Sequence, residues 1–156
     1  MRGLACAVAA PTLGLVLGGC AGARPQALQL RNPIPAGEAF TCALREVAAL
    51  GYTLLDADRE GGIIRAERQN REDGASILLD VDVVDLLTIP LEPAGRDRAT
   101  LRVTAASTEK PRRRDAGGRT EEFPSDRVRD DARTLLRACG GPDAEIADAS
   151  TDRGRR

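Results

Sequence analysis

The chain contains no histidine and no tryptophan, and its aromatic side chains are one tyrosine and two phenylalanines. Without histidine, the usual general base, the Ser-His and Cys-His nucleophile arrangements and most zinc sites are excluded. With so few aromatics, the core must be built from Ala, Leu, Val and Ile, and base-stacking or aromatic-cage recognition has almost no material. Charge of one sign is also missing. The 23 basic and 24 acidic residues nearly cancel, to a net charge of -1. Nucleic-acid binding needs a basic surface to neutralise phosphates, so it is excluded as a leading function. No phosphate-cradling glycine loop is visible, and no cofactor is expected.

The length of 156 residues suits one small domain. The N-terminus is different in kind. Arg2 supplies a positive charge, residues 4–17 are mostly apolar, and Gly18 and Gly19 precede Cys20. Fourteen residues of helix rise about 21 Å, short of a hydrocarbon core of roughly 30 Å. Pro11 and Gly14 weaken a continuous helix further. The segment therefore reads as a targeting signal over residues 1–19, removed in the mature protein, and not as a membrane span.

Cysteine usage points to the same compartment. Cys6 leaves with the signal, Cys20 is set apart by its place at the cleavage boundary, and Cys42 and Cys139 remain. One disulfide between them is expected in an oxidising space, against the alternatives of two free thiols or a catalytic thiolate. The thiolate lacks any His or CxxC partner to lower its pKa. Closing a loop of nearly a hundred residues is worth about 4 to 5 kcal/mol in the chain-entropy model.

Residues 20–34 read as the modified cysteine followed by a flexible tether, and 35–141 as a single domain. A helix is expected over residues 37–50, from the spacing of Phe40, Leu44, Val47 and Leu50, with Gly51 ending it. Residues 52–68 read as a hairpin around the turn at 58–62. In residues 75–85, Ile77, Leu79, Val81 and Val83 alternate with Ser76, Leu78, Asp80 and Asp82, the pattern of a strand buried on one side. Residues 92–98 turn the chain into a fourth strand over 99–107. The charged stretch 108–124 reads as a long loop, a second helix starts near Ser125, and 142–156 reads as a disordered tail. The expected fold is α+β, in the order α-β-β-β-β-α: a four-stranded antiparallel meander with two helices packed on one face. That topology brings Cys42 and Cys139 to one end of the helix pair, although Cys42 lies off the apolar stripe of its own helix.

Three groups could carry chemistry. Asp56, Asp58, Glu60, Gly61, Ile63 and Glu67 fill the positions of a calcium loop over residues 56–67. A calcium-binding lipoprotein is therefore one alternative, opposed by the absence of an apolar face after Glu67. Asp80, Asp82 and Asp85 would have to converge to serve a carboxylate-only enzyme, the second alternative. Lys110, the only lysine, opens a basic run with Arg112, Arg113 and Arg114, which could touch anionic headgroups or could be a solvated loop.

The run Leu17-Gly18-Gly19-Cys20 resembles the lipobox of bacterial lipoprotein precursors, in which cleavage falls before the cysteine and the cysteine receives the lipid. The resemblance implies lipid attachment at Cys20 and anchoring to a membrane. Residues 43–68, ALREVAALGYTLLDADREGGIIRAER, resemble the helix-hairpin modules of BamC-like envelope lipoproteins, in which a helix ends at a Gly-aromatic step. Here there is a single module. Ala21 after the cysteine is similar to lipoproteins sorted to the outer membrane. Together these imply a non-enzymatic, lipid-anchored envelope domain on the periplasmic face of the outer membrane, partnered by an envelope protein.

Overall fold

The computed structural model describes residues 25–70, 81–111 and 122–149. Its elements run β1 (Gln26–Leu30), β2 (Ile34–Pro35), α1 (Ala36–Ala49), β3 (Thr53–Asp58), β4 (Ile63–Asn70), β5 (Val81–Pro93), β6 (Arg98–Pro111), β7 (Glu122–Phe123), α2 (Asp126–Gly140) and β8 (Ile146–Asp148). The fold is α+β. The strands lie in the order β3-β4-β5-β6-β1-β8, with the short β2 and β7 also paired to β6, and every pairing is antiparallel.

The meander expected from the alternation is β3 through β6, and the sheet is larger than that meander. Two corrections follow. The segment read as a flexible tether holds β1, whose Leu28 and Leu30 face the core and which pairs with β6 from Gln26 opposite Ala105 to Gln29 opposite Arg102. Five residues between Pro25 and the Arg31-Asn32-Pro33 step are too short a stretch for periodicity to stand out. The segment read as a disordered tail holds β8, which pairs with β1 and satisfies backbone groups that would otherwise be left open. Arg31 N donates to Glu145 O at 2.9 Å and Ala149 N to Ala27 O at 2.8 Å.

The turn expected at residues 92–98 is also later and tighter. β5 runs through Pro90, opposite Ile63 at the start of β4, and on to Pro93. β6 continues to Pro111, so the loop expected over 108–124 begins later than its charge density suggested.

Alternation places Ile64 and Ala66 of β4, Val83, Leu87 and Ile89 of β5, and Leu101, Val103 and Ala105 of β6 on one buried face. Both helices cover that face. α1 buries Ala39, Phe40, Ala43 and Val47, and α2 buries Val128, Ala132, Leu135 and Leu136. Each fully buried aliphatic side chain contributes about 1.5 to 3 kcal/mol, so this mostly aliphatic core needs no aromatic anchor beyond Phe40 and Tyr52.

The helix ends follow from their residues. Gly51, at φ +77°, takes the left-handed conformation that ends α1, and its N–H reaches Ala48 O at 3.0 Å. Ser125 caps α2, its Oγ accepting from Val128 N at 3.2 Å. Gly140 lets the end of α2 close onto β1, because a Cβ there would sit 2.8 Å from Leu30 Cδ2. Cys42 and Cys139 lie at that end of the helix pair at disulfide distance, with 2.07 Å between sulfurs and 5.7 Å between Cα atoms. Among the described residues no helix is long and apolar enough to cross a membrane.

Candidate functional site

The hairpin of β3 and β4 forms one margin of the sheet. Asp58 closes its turn, Oδ1 accepting from Glu60 N at 3.0 Å and Gly61 N at 2.9 Å. That arrangement is an Asx-type turn, in which a short carboxylate replaces a backbone acceptor. β3 pairs with β4 alone among the described residues. Among the described residues its outer edge therefore carries a row of unpaired backbone donors and acceptors, the template another strand needs.

All six residues of β3 are exposed. Leu54 and Leu55 are 46% and 55% exposed, the large apolar side chains left open to water among the described residues. The pairing shifts between Leu54 and Asp56, which places Leu55 at an irregularity of the edge.

The same hairpin decides the geometry of the calcium-loop positions. Asp56 stands opposite Arg65 and Glu67 opposite Thr53, so these carboxylates are spread along two strands instead of wrapping a centre. Asp58 is occupied by its own turn. No group of three or more His, Cys, Asp or Glu among the described residues is placed to hold a metal ion.

The acidic group on β5 does not converge either. Asp82 is partly exposed and accepts from Gln69 Nε2 at 3.3 Å. Asp85 has the opposite parity on the strand and is 0% exposed. Asp80 lies outside the described residues, as do Cys20 and the basic residues Arg112, Arg113 and Arg114.

Asp85 belongs instead to an ionic cluster that stands behind the hairpin, between sheet and helices. Ser107 Oγ on β6 donates to Asp85 Oδ1 at 2.6 Å, and Ser125 Oγ at the start of α2 lies 3.2 Å from the same oxygen. Arg68 on β4 reaches Asp85 Oδ2 at 3.2 Å and Asp131 Oδ2 on α2 at 2.5 Å with its Nη2. Its Nη1 donates to Leu50 O at 2.8 Å, where α1 ends. Tyr52 lies under the guanidinium, 4.3 Å from ring centroid to Cζ, and donates its hydroxyl hydrogen to Asp131 at 3.0 Å.

Burial raises the Tyr52 pKa well above its ordinary value, and the charge of Asp131 adds to the rise. Burial works against the charge of Arg68, yet Tyr52, Asp131 and Asp85 outweigh it and hold the guanidinium more firmly protonated than usual. A buried charge of this kind persists only when paired and hydrogen-bonded. The cluster joins β4, β5, β6, α1 and α2. Asp85 and Ser107 are sealed from solvent, and the cluster braces the fold.

The cysteine arithmetic locates the disulfide pair, and periodicity locates the hairpin. Reading the residues in order does not find Arg68, Asp131, Ser107 or the packing role of Tyr52. One signal was available: Arg68 follows Ile64 and Ala66 at the same parity, and Asp85 sits between Val83 and Leu87. A charge at an inward-facing strand position needs a buried partner.

No family model matches the chain, and a search of the curated proteins finds no match.

Proposed function

We propose that the chain is a non-enzymatic, lipid-anchored domain of a bacterial cell envelope that binds a partner protein by adding that partner's strand to the free edge of β3. Three lines support the reading. The order Arg2, apolar stretch, Gly18, Gly19, Cys20 is what lipid attachment to Cys20 requires. The Cys42 and Cys139 pair at disulfide distance suits an oxidising compartment. The observation that carries the binding role is the edge itself: six exposed residues, one side paired to β4 and the other open among the described residues, with Leu54 and Leu55 presented beside it.

Asp56 and Asp58 add acidic character to the strand, which favours a partner segment with apolar and basic side chains. The anchor would hold this edge near the membrane, where an accessory of envelope assembly meets its partner. The outer membrane is the site that Ala21 and the resemblance to BamC-like lipoproteins favour.

A photo-crosslinking residue at Leu55, introduced into the full chain in intact cells, should capture a discrete envelope protein identified by mass spectrometry. The same residue at Arg133, on the outer side of α2, should not. Equal capture at both positions, or none at Leu55, overturns the edge as the binding site. Cys20→Ala should move the protein out of the membrane fraction, and unchanged membrane association overturns the anchor.

A further inference from the structure

At the end of the hairpin a half-open hollow of about 380 Å³ lies between the β3–β4 turn, the β5–β6 turn and the start of α1. Its floor is apolar, made by Phe40, Leu91 and Pro93, and its rim carries Arg59, Arg96 and Arg98. Three guanidinium groups around an apolar depression are an unusual arrangement for a chain of net charge -1.

The cations are held but not neutralised. Arg59 lies over the Phe40 ring at 5.2 Å from the centroid and donates to Thr41 Oγ1 at 3.4 Å. Arg98 donates to Pro33 O through both Nε and Nη2. Arg96, on the exposed β5–β6 turn, has neither a hydrogen bond nor an ion pair among the described residues. No carboxylate among the described residues forms an ion pair with any of the three. Glu60 is the one acid that lines the hollow, so the rim keeps a positive excess.

The backbone adds to that excess. Pro35 precedes α1 and makes no side-chain cap, the Ala36 N–H is taken by Asp97 O at 3.0 Å, and Gly37 in the first turn lines the same hollow. The N–H groups at a helix start carry partial positive charge and complement an anion.

We propose that this hollow binds a small amphipathic carboxylic acid, its carboxylate on the arginine rim and its apolar chain on the floor of Phe40, Leu91 and Pro93. Guanidinium groups suit a carboxylate because their paired donors match its two oxygens. The apolar floor excludes a bare inorganic anion as the best ligand, since it would be left without use. At about 30 Å³ per water-sized group, the volume admits about a dozen non-hydrogen atoms. A medium-chain fatty acid and the last residue of an apolar peptide both have this chemistry. The site is separate from the edge of β3, and either can fail without the other.

The test is titration of the purified full chain with octanoate, N-acetyl-leucine, 1-octanol and sulfate, followed by calorimetry and by the amide resonances of Gly61, Gly62 and Gly95. Saturable binding of at least one of the two carboxylates, with shifts at those glycines, is expected; which of them binds identifies a lipid-derived or a peptide source. Octanol and sulfate should each bind at least tenfold more weakly. Arg96→Glu, on an exposed turn, should melt with the parent protein and weaken the carboxylate at least tenfold. Binding should also weaken with added salt. Failure of both carboxylates to saturate, equal binding of octanol, or an Arg96→Glu variant that binds as the parent does overturns the site.

Discussion

At one end of the helix pair Cys42 of α1 and Cys139 of α2 lie at disulfide distance, and at the other end the same two helices meet through Arg68, Asp131 and Tyr52. One pin is covalent and acts mainly by limiting the unfolded chain. The other is electrostatic, acts in the folded state, and depends on every buried group keeping its partner. The covalent pin ties helix to helix only. The ionic pin also reaches β5 and β6 through Asp85 and Ser107, so it fixes where the helix layer sits on the sheet. Between the two pins lies a core that is otherwise aliphatic and tolerant of small shifts in volume.

The sharpest way to break the comparison is at Asp85. Asp85→Ala removes the carboxylate that takes Arg68, Ser107 and Ser125, and leaves the part-buried guanidinium with Asp131 as its one remaining carboxylate. A loss of about 3 to 5 kcal/mol is expected in urea unfolding of the full chain, because stripping one partner from a buried pair exposes the desolvation cost of the other. A loss under about 1 kcal/mol would show that the cluster is decoration and that packing alone seats the helices.

Removing the covalent pin should cost less. Cys42→Ala with Cys139→Ala is expected to lower stability by about 3 kcal/mol, within the usual range for a native disulfide closing a long loop. The m-value should rise at the same time, since the unfolded chain expands once the 97-residue separation is unconstrained. Equal m-values with a large loss would place the effect in the folded state and erase the contrast between the two pins.

These pins were not equally legible. Counting cysteines and laying four strands in a meander is enough to bring Cys42 and Cys139 together, because each step uses a pattern visible along the chain. Arg68 and Asp131 are 63 residues apart, and nothing in the order of residues says that one charge on β4 needs a particular charge on α2. Parity was the readable clue, since Arg68 and Asp85 interrupt rows of inward-facing aliphatics. The added strands were hidden for another reason. β1 and β8 are five and three residues long; β1 exists because β6 and β8 supply its hydrogen bonds, and β8 because β1 does, a tertiary condition and not a local one. The exposed edge of β3 was half legible: the hairpin shows in the turn residues, whereas its place at the margin depends on what does not pair with it.

The smallest effect, and the finest test of the ionic pin, lies at Tyr52. Tyr52→Phe keeps the ring under Arg68 and removes only the hydrogen bond to Asp131, so a loss of about 1 to 1.5 kcal/mol is expected at neutral pH. The alkaline behaviour carries the sign. Burial first, and then the Asp131 charge, raise the phenol pKa in the folded protein above the value of about 10 that it has in the unfolded chain. Above pH 10 the unfolded chain therefore releases a proton that the folded chain keeps, and folding loses stability as pH climbs. The contribution is fully present below that point. Tyr52→Phe has no such proton, so the gap between parent and variant should narrow from pH 9 to pH 11. Because Tyr52 is the only tyrosine and there is no tryptophan, phenolate absorbance reports this group alone. In the folded parent it should stay flat through pH 10.5 and then appear together with unfolding. Ionisation near pH 10 without unfolding would mean that the phenol is not held by Asp131, and the electrostatic pin would reduce to Arg68 and its two carboxylates.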